Sequence, residues 1–240
     1  EAASAPVAGI TALQALRDNG QLEAGQKVLI NGASGGVGTF AVQIAKSMGA
    51  EVTGVCSTRN VEMVKSIGAD HVFDYKQESY TDSGQQYDLI IDNVGNHSLS
   101  ANRRVLKPEG KLALQAITIA DQHFERARRS VDFIQRHVFP GSCIPSVTAL
   151  CTAATKASDL RITGLDDIGP HYVRTLALWR EALLERWDDA RAMGYSNAFL
   201  RQWEFYFAYC EGGFAERHIS DVHMVFEKPG TRPALNPPPA

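Results

Sequence analysis

The stretch Val28-Leu-Ile-Asn-Gly-Ala-Ser-Gly-Gly-Val-Gly38 decides how this chain is read. An apolar run, Val28 to Ile30, stops at a glycine-rich turn, and Val37, Phe40, Ala41, Ile44, Ala45 and Met48 then recur at helical spacing. Strand, tight turn and helix make the first half of a βαβ unit. Gly35 and Gly38 fit the last two glycines of a G-x-G-x-x-G pattern, with Ala33 in the first place. The second glycine of such a turn lets a pyrophosphate approach the backbone, the third lets the helix pack close to the sheet, and the helix N-terminus favours negative charge.

Outward from this turn, the strand–helix alternation continues. Glu51–Cys56, His71–Tyr75, Asp88–Asp92 and Lys111–Gln115 read as strands, with helices over 61–67 and 99–106 between them. A helix over 7–16 precedes the first strand. The Asp88–Asp92 run is continuously apolar inside, as suits a strand buried on both faces. The pattern predicts an α/β fold: a doubly wound, Rossmann-like, mostly parallel sheet with right-handed crossovers and helices on both faces. Beyond residue 117 arginine and histidine become frequent (Arg126, Arg128, Arg129, Arg136, His137), and a two-proline turn spans Phe139 to Pro145. Ser146 can cap a helix to Lys156, and Leu160–Gly164 reads as a strand. Two long amphipathic helices follow. One carries Tyr172, Leu176, Trp179, Leu183 and Trp187 on a stripe; the other carries Phe199, Trp203, Phe207, Cys210 and Phe214. Asp221–Phe226 is a last strand, expected to run antiparallel in a sheet of about seven, and the Pro-rich residues 230–240 are expected to be disordered.

Bulk properties exclude some classes. The 240 residues are 44% hydrophobic and 21% charged, with a formal net charge of −3, which gives no reason to expect nucleic acid. No apolar segment is long enough to span a membrane, and no signal peptide is visible. Glu1-Ala-Ala-Ser reads as the middle of a protein. Cys56, Cys143, Cys151 and Cys210 lack ligand spacing, as do His137 and His218, so no metal is expected. Buried free thiols in a reducing cytoplasm are the expectation, and nothing in the pattern assigns an oligomeric state.

At the end of the second strand, where a dinucleotide-binding unit places an acid for the ribose 2′-hydroxyl, the chain reads Val55-Cys-Ser-Thr-Arg-Asn60. Ser57 can hydrogen-bond and Arg59 can pair with a 2′-phosphate, which favours NADP(H); Arg59 also fits a solvated helix start. Asn93, in Asn93-Val-Gly95 after the fourth strand, fits either the nicotinamide-side ribose or a plain turn.

Ala2-Ala-Ser-Ala-Pro-Val-Ala-Gly-Ile-Thr-Ala-Leu13, Asn31-Gly-Ala-Ser-Gly-Gly-Val-Gly38, Ile67-Gly-Ala-Asp-His-Val72 and Asp92-Asn-Val-Gly95 give residues 1–114 a resemblance to the cofactor domain of zinc-independent medium-chain dehydrogenases/reductases of the quinone oxidoreductase type. The resemblance implies NADPH-dependent hydride transfer to a quinone or enone carbonyl. It places phosphate binding on Ser34, Gly35, Gly36, Val37 and Gly38, 2′-phosphate contacts on Ser57, Arg59 and Tyr75, and the nicotinamide end on Thr11 and Asn93. That family's amino-terminal substrate domain is not in this sequence.

Leu106-Lys-Pro-Glu-Gly110, Gln115-Ala-Ile-Thr-Ile119, Phe139-Pro-Gly-Ser-Cys-Ile-Pro-Ser146, Asp167-Ile-Gly-Pro-His-Tyr-Val-Arg-Thr-Leu176 and Trp203-Glu-Phe-Tyr-Phe-Ala-Tyr-Cys210 carry a second resemblance, over residues 105–228. These residues are similar to the carboxyl-terminal part of cyclopropane-fatty-acyl-phospholipid synthases and mycolic acid methyltransferases. This resemblance implies S-adenosylmethionine as cofactor, a lipid acyl chain as partner, and Tyr172 holding a bicarbonate-type anion that acts as base. It gives Ile117 a backbone contact to that anion, and Gln115 stands where some members have histidine. Cys56 and Glu51 do not take the Cys and Glu roles of that anion site by spacing. The chain therefore reads as a chimera joined near the fifth strand. Residues 1–116 form an NADP(H)-binding half and residues 117–229 complete the same sheet. The leading expectation is an NADP(H)-binding domain of a quinone-oxidoreductase-like reductase. The alternatives are an S-adenosylmethionine-dependent methyltransferase of the cyclopropane synthase type and an inactive chimeric scaffold.

Overall fold

A computed structural model describes residues 5–230. Glu1 to Ser4 and the stretch 231–240, most of the segment expected to be disordered, lie outside the described residues. Helix α1 (Ala5–Leu13) passes into a π-helical turn (Gln14–Asn19) before β1 (Lys27–Asn31), α2 (Gly36–Ser47), β2 (Glu51–Cys56), α3 (Val61–Ser66), β3 (His71–Asp74) and β4 (Tyr87–Asp92). Then come α4 (Leu99–Arg104), β5 (Leu106–Ile119), α5 (Asp121–Ala127), α6 (Phe133–His137), α7 (Val147–Ala157) and β6 (Arg161–Asp167). Helices α8 (Gly169–Glu185), α9 (Trp187–Ala192) and α10 (Asn197–Ala215) precede β7 (Ile219–Glu227).

The strands form one seven-stranded sheet in the order β3-β2-β1-β4-β5-β7-β6. The pairs β1–β2, β1–β4, β2–β3 and β4–β5 are parallel, with Val28 opposite both Val52 and Leu89. The mostly parallel α/β sheet is thus as expected from the sequence. The feature that separates it from a simple dinucleotide fold is β7, which lies between β5 and β6.

Packing divides the chain into two compact units. One comprises Thr11–Gln115, Ala153–Leu165 and the described part of His223–Ala240; the other comprises Ala116–Thr152, Asp166–Val222 and the described residues before Thr11. In the first, Val28, Leu29 and Ile30 of β1 are fully buried because helices cover both sheet faces. Ala41 and Ala45 of α2, one turn apart, face that core together with Val52, Val64, Leu89 and Ile91. The helix stops where Gly49 turns left-handed at φ +82°. In the second unit, α8 and α10 pack through the Tyr172–Phe214 stack (ring centroids 5.1 Å), the Trp179–Phe207 edge contact (6.0 Å) and the Arg180–Glu211 ion pair (3.2 Å).

Several boundaries differ from the sequence expectation. The fifth strand is much longer than Lys111–Gln115, because Pro108 and Gly110 are taken into it rather than ending the preceding helix. The first long helix ends at Glu185, so Trp187 starts a separate short helix. Cys56 is buried as expected, but Cys143 is exposed, and Cys151 and Cys210 are half-buried.

The turn after β1 leaves no room for a side chain at Gly38. A Cβ on Gly38 would stand 2.0 Å from the Gly32 carbonyl oxygen and 2.8 Å from Ala33 Cα, whereas a Cβ on Gly36 meets nothing within 4 Å. Gly38→Ala is expected to lower the unfolding free energy by about 3 kcal/mol through forced backbone displacement. Gly36→Ala is expected to leave it unchanged or raise it by about 0.5 kcal/mol. Urea denaturation midpoints check both signs.

Candidate functional site

The candidate site lies at the carboxyl ends of β1, β2 and β4, within the unit that holds Thr11–Gln115. Ligands of open α/β sheets bind outside the carboxyl ends of the strands, where connections diverge to opposite faces. Here β1 connects to β2 on one side while β4 flanks it on the other. Gly32 takes φ +85°, and the N–H groups of Gly32 and Ala33 both donate to Val55 O (3.2 and 3.0 Å). Gly35 N–H donates back to Gly32 O at 3.0 Å and serves as the α2 N-cap without a side-chain cap. The first N–H groups of a helix have no partner within it. Those of Gly36, Val37 and Gly38 are therefore donors at the positive end of a twelve-residue helix, beside two exposed glycines.

A chain of buried polar groups holds the β4 side. Asn31 Nδ2 donates to Asp92 Oδ1 (2.9 Å) and to Asn96 Oδ1 (2.8 Å). The same Asp92 oxygen accepts from Val94 N–H (3.1 Å) and Gly95 N–H (2.9 Å). Asn102 Nδ2 donates to Asp92 Oδ2 (3.4 Å), and Tyr80 Oη donates to Asn102 Oδ1 (2.7 Å). Burial, with Asp92 and Tyr87 nearby, pushes the Tyr80 phenol well above its usual range, so it stays a donor. Asp92 is 1% exposed, and these donors offset its loss of water.

Asn93 is placed beside the glycine turn, its Cβ 3.7 Å from where a Gly32 Cβ would stand. Its Nδ2 is buried with no hydrogen-bond partner, as is Gln14 Oε1. A buried amide without a partner is costly, and a ligand at the turn would relieve it. At the β2 end, Asn60 Nδ2 donates to Ser34 Oγ (3.1 Å) and Ser57 Oγ (3.2 Å), so two expected site residues are brought together by one that sequence reasoning missed. Ser57 is buried; Arg59 and Tyr75 are exposed. Thr11 is buried at 3% exposure. No signal local to Asn60 marks it, apart from its place at the start of α3.

Beside this end, Asp74 accepts from Thr58 Oγ1 (2.6 Å), Gln77 Nε2 (2.9 Å) and Lys76 N–H (3.0 Å). The Thr58 hydrogen bond above all holds its carboxyl below the usual range, against the opposing effect of burial. Burial, and then Asp74, pushes the Cys56 thiol up, which makes it a poor nucleophile. In the other unit, Tyr172 stacks on Phe214 at an interplanar angle of 18°, and Ile117 is exposed. Burial pushes Tyr206 up to about 12 and its neighbour Cys210 up to about 11, so both stay protonated at neutral pH. Among the described residues no three His, Cys, Asp or Glu side chains converge on a metal site, and no helix is long and apolar enough to cross a membrane.

The family model for mycolic acid cyclopropane synthetase matches residues 7–224. Tuberculostearic acid methyltransferase UfaA1 of Mycobacterium tuberculosis is 33% identical over 172 residues, which is 68% of this chain and 40% of that protein. The chloroplast envelope quinone oxidoreductase homolog of Arabidopsis thaliana is 44% identical over 121 residues, 47% of this chain and 37% of that protein. The chain thus spans about two fifths of the length of these relatives. Among solved structures, the mycolic acid cyclopropane synthase CmaA1 complexed with SAH and CTAB superposes at a TM-score of 0.73 with 21% identity, covering 91% of this chain and 83% of that one. The cyclopropane synthase MmaA2 of Mycobacterium tuberculosis gives 0.74 with 22% identity over the same shares.

Two kinds of relatives on one chain are consistent with a chimera. The expectation of an NADP(H) reductase is overturned. Oxidoreductase relatives match only a segment, whereas the synthetase family model runs from residue 7 to residue 224. The physical reason is that a glycine turn at a helix N-terminus serves any anionic nucleotide ligand and does not by itself select hydride chemistry.

Folding lowers the pKa of Asp74, so its contribution to stability is present above the unfolded value of about 4 and is lost as pH falls below it. Asp74→Asn is therefore expected to lower stability at pH 7 and to flatten the loss of stability between pH 5 and pH 3. Urea unfolding at a series of pH values checks this.

Proposed function

This chain belongs to the mycolic acid cyclopropane synthetase family, and we propose that it binds S-adenosylmethionine at the glycine turn and acts on an unsaturated lipid acyl chain. The family match across residues 7–224 carries this reading. Residues 1–116 would hold the cofactor and residues 117–229 the acyl chain.

The residues at the turn fit the cofactor. Its carboxylate suits the N–H groups of Gly36, Val37 and Gly38, where the α2 dipole favours negative charge. Gly35 and Gly36 keep the approach open. The partnerless Asn93 Nδ2 offers a donor beside Gly32. Ser34, Ser57 and Asn60 present hydroxyl and amide groups for the ribose hydroxyls. When bound, the cofactor supplies an electrophilic methyl group. The protein's own part is to orient it: the rigid Asp92 network fixes the β4 turn, and the Gly32 turn is tied to β2. Tyr172 is carried as the candidate residue of the acyl half.

Calorimetric titration of the chain with S-adenosylmethionine is expected to show binding. Gly36→Asp puts a carboxylate in the first helical turn, which favours the helix but repels the cofactor carboxylate, and is expected to weaken binding on the order of tenfold with no loss of thermal stability. Transfer of labelled methyl to vesicles of unsaturated phospholipid is expected to fall in Tyr172→Phe while cofactor binding stays unchanged. Binding of NADPH in place of S-adenosylmethionine, or of neither, would overturn the proposal.

A further inference from the structure

The last strand in the sheet order is β6, and among the described residues no strand pairs with its far edge. Its sequence is Arg161-Ile-Thr-Gly-Leu-Asp-Asp167, and every residue except Gly164 is exposed. Ile162 and Leu165 are 38% and 44% exposed. Such an edge offers a row of unpaired N–H and C=O groups, and proteins normally guard it with charged side chains, proline, a bulge or a covering element. This strand contains no proline, and its charged residues Arg161, Asp166 and Asp167 stand only at its ends.

The charges at its two ends are opposite: Arg161 at the start, Asp166 and Asp167 at the finish. That distribution selects a partner. A second copy of β6 laid parallel in register would set Arg161 against Arg161 and Asp167 against Asp167, which is repulsive. A copy laid antiparallel about a two-fold axis through Gly164 sets Arg161 against Asp167 at both ends. The residues on that face then form a cross-strand ladder of Arg161–Asp167, Thr163–Leu165, Leu165–Thr163 and Asp167–Arg161. Each rung joins unlike charges or a β-branched residue with an apolar one. On the other face the two Gly164 residues meet at the axis, where the lack of side chains lets the strands approach, and Ile162 lies opposite Asp166 on either side of it, so the complementarity rests on the Arg161–Asp167 face. Asp167 Oδ1 accepts from Gly169 N–H (2.9 Å) and from Ser220 Oγ of β7, which fixes the position of the carboxylate at the end of the strand.

We propose that two copies of this chain associate through the β6 edge, antiparallel and centred on Gly164, to continue the sheet across a two-fold axis. The contact is isologous: one patch meets itself and the assembly closes as a dimer. It depends on β6 alone and not on which cofactor the glycine turn holds.

Sedimentation velocity on the full chain across a concentration series is expected to show a monomer–dimer equilibrium. Arg161→Asp, an exposed substitution that puts acid against acid at both ends, is expected to weaken the dimer on the order of tenfold or more. Geometry is tested separately in a Cys143→Ser background, which removes the exposed native thiol. There the double variant Thr163→Cys with Leu165→Cys is expected to form a covalent dimer on mild oxidation, and neither single variant is. A chain that stays monomeric at all concentrations, a dimer untouched by Arg161→Asp, or equal cross-linking in the single variants would each overturn the proposal.

Discussion

The contact on which the first βαβ unit depends is the seating of Gly38 against the Gly32 carbonyl. It lets α2 start close over the end of β1 after only the tight turn of residues 32–35. Everything around it is small for the same reason. Gly54 on β2 meets Ala33 and Val64, and a Cβ there would stand 2.6 Å from Val64 Cγ1. Gly32 sits against Val94, 2.8 Å from where its own Cβ would be. The consequence for chemistry is that the free N–H groups of α2 open beside backbone rather than beside side chains. An anionic group can then reach them without displacing protein atoms.

On the other side of β1 the constraint is polar. Asp92 is a buried carboxylate whose oxygens accept two backbone N–H groups and two side-chain amides. Asn31 and Asn102 are themselves buried and would otherwise be groups in need of a partner, so these bonds satisfy both sides. It ties the β4 turn to β1 through Asn31 and to α4 through Asn102, and Tyr80 closes its far end. Asn93 is left as the exception within this segment, its amide unmatched where its neighbours are all satisfied. A buried amide without a partner is costly, and in the proposed reading the cofactor supplies its acceptor.

Much of this was legible in the sequence, and the parts that were not have physical causes. Local signals gave the glycine turn, β1 to β4 and the Ser146 cap, whose Oγ accepts from Ala149 N–H at 3.2 Å. Helix α6 was missed although Asp132 and Gln135 form a capping box at its start, because five residues are too few to show a helical period. The extent of β5 was missed because Lys107-Pro-Glu-Gly110 has turn composition, and only its pairing partners make it extended: Leu106 lies opposite Tyr87 and Lys111 opposite Leu89. The choice between reductase and synthetase was misread for a related reason. The residues around Gly35 carry the local signal, whereas the insertion of β7 between β5 and β6 is a long-range pairing with no local mark.

The end of β2 adds a constraint on the proposed cofactor. Residues 57–61 after Cys56 contain no acid, and the carboxylate that stands beside this end is Asp74, opposite Cys56 in the β2–β3 register. Its oxygens are engaged by Thr58, Lys76 N–H and Gln77, so it braces the loop after β2 rather than facing a ligand. Ribose hydroxyls at this position would meet the neutral Ser34, Ser57 and Asn60 cluster, whose hydrogen bonds are weaker than those to a free carboxylate. Hydroxyl and amide groups also discriminate less between nucleotide ligands than a fixed charge does. In the proposed reading, selection therefore shifts to the opposite end of the cofactor. The α2 N-terminus requires an anion there, and the Asn93 amide requires an acceptor beside Gly32.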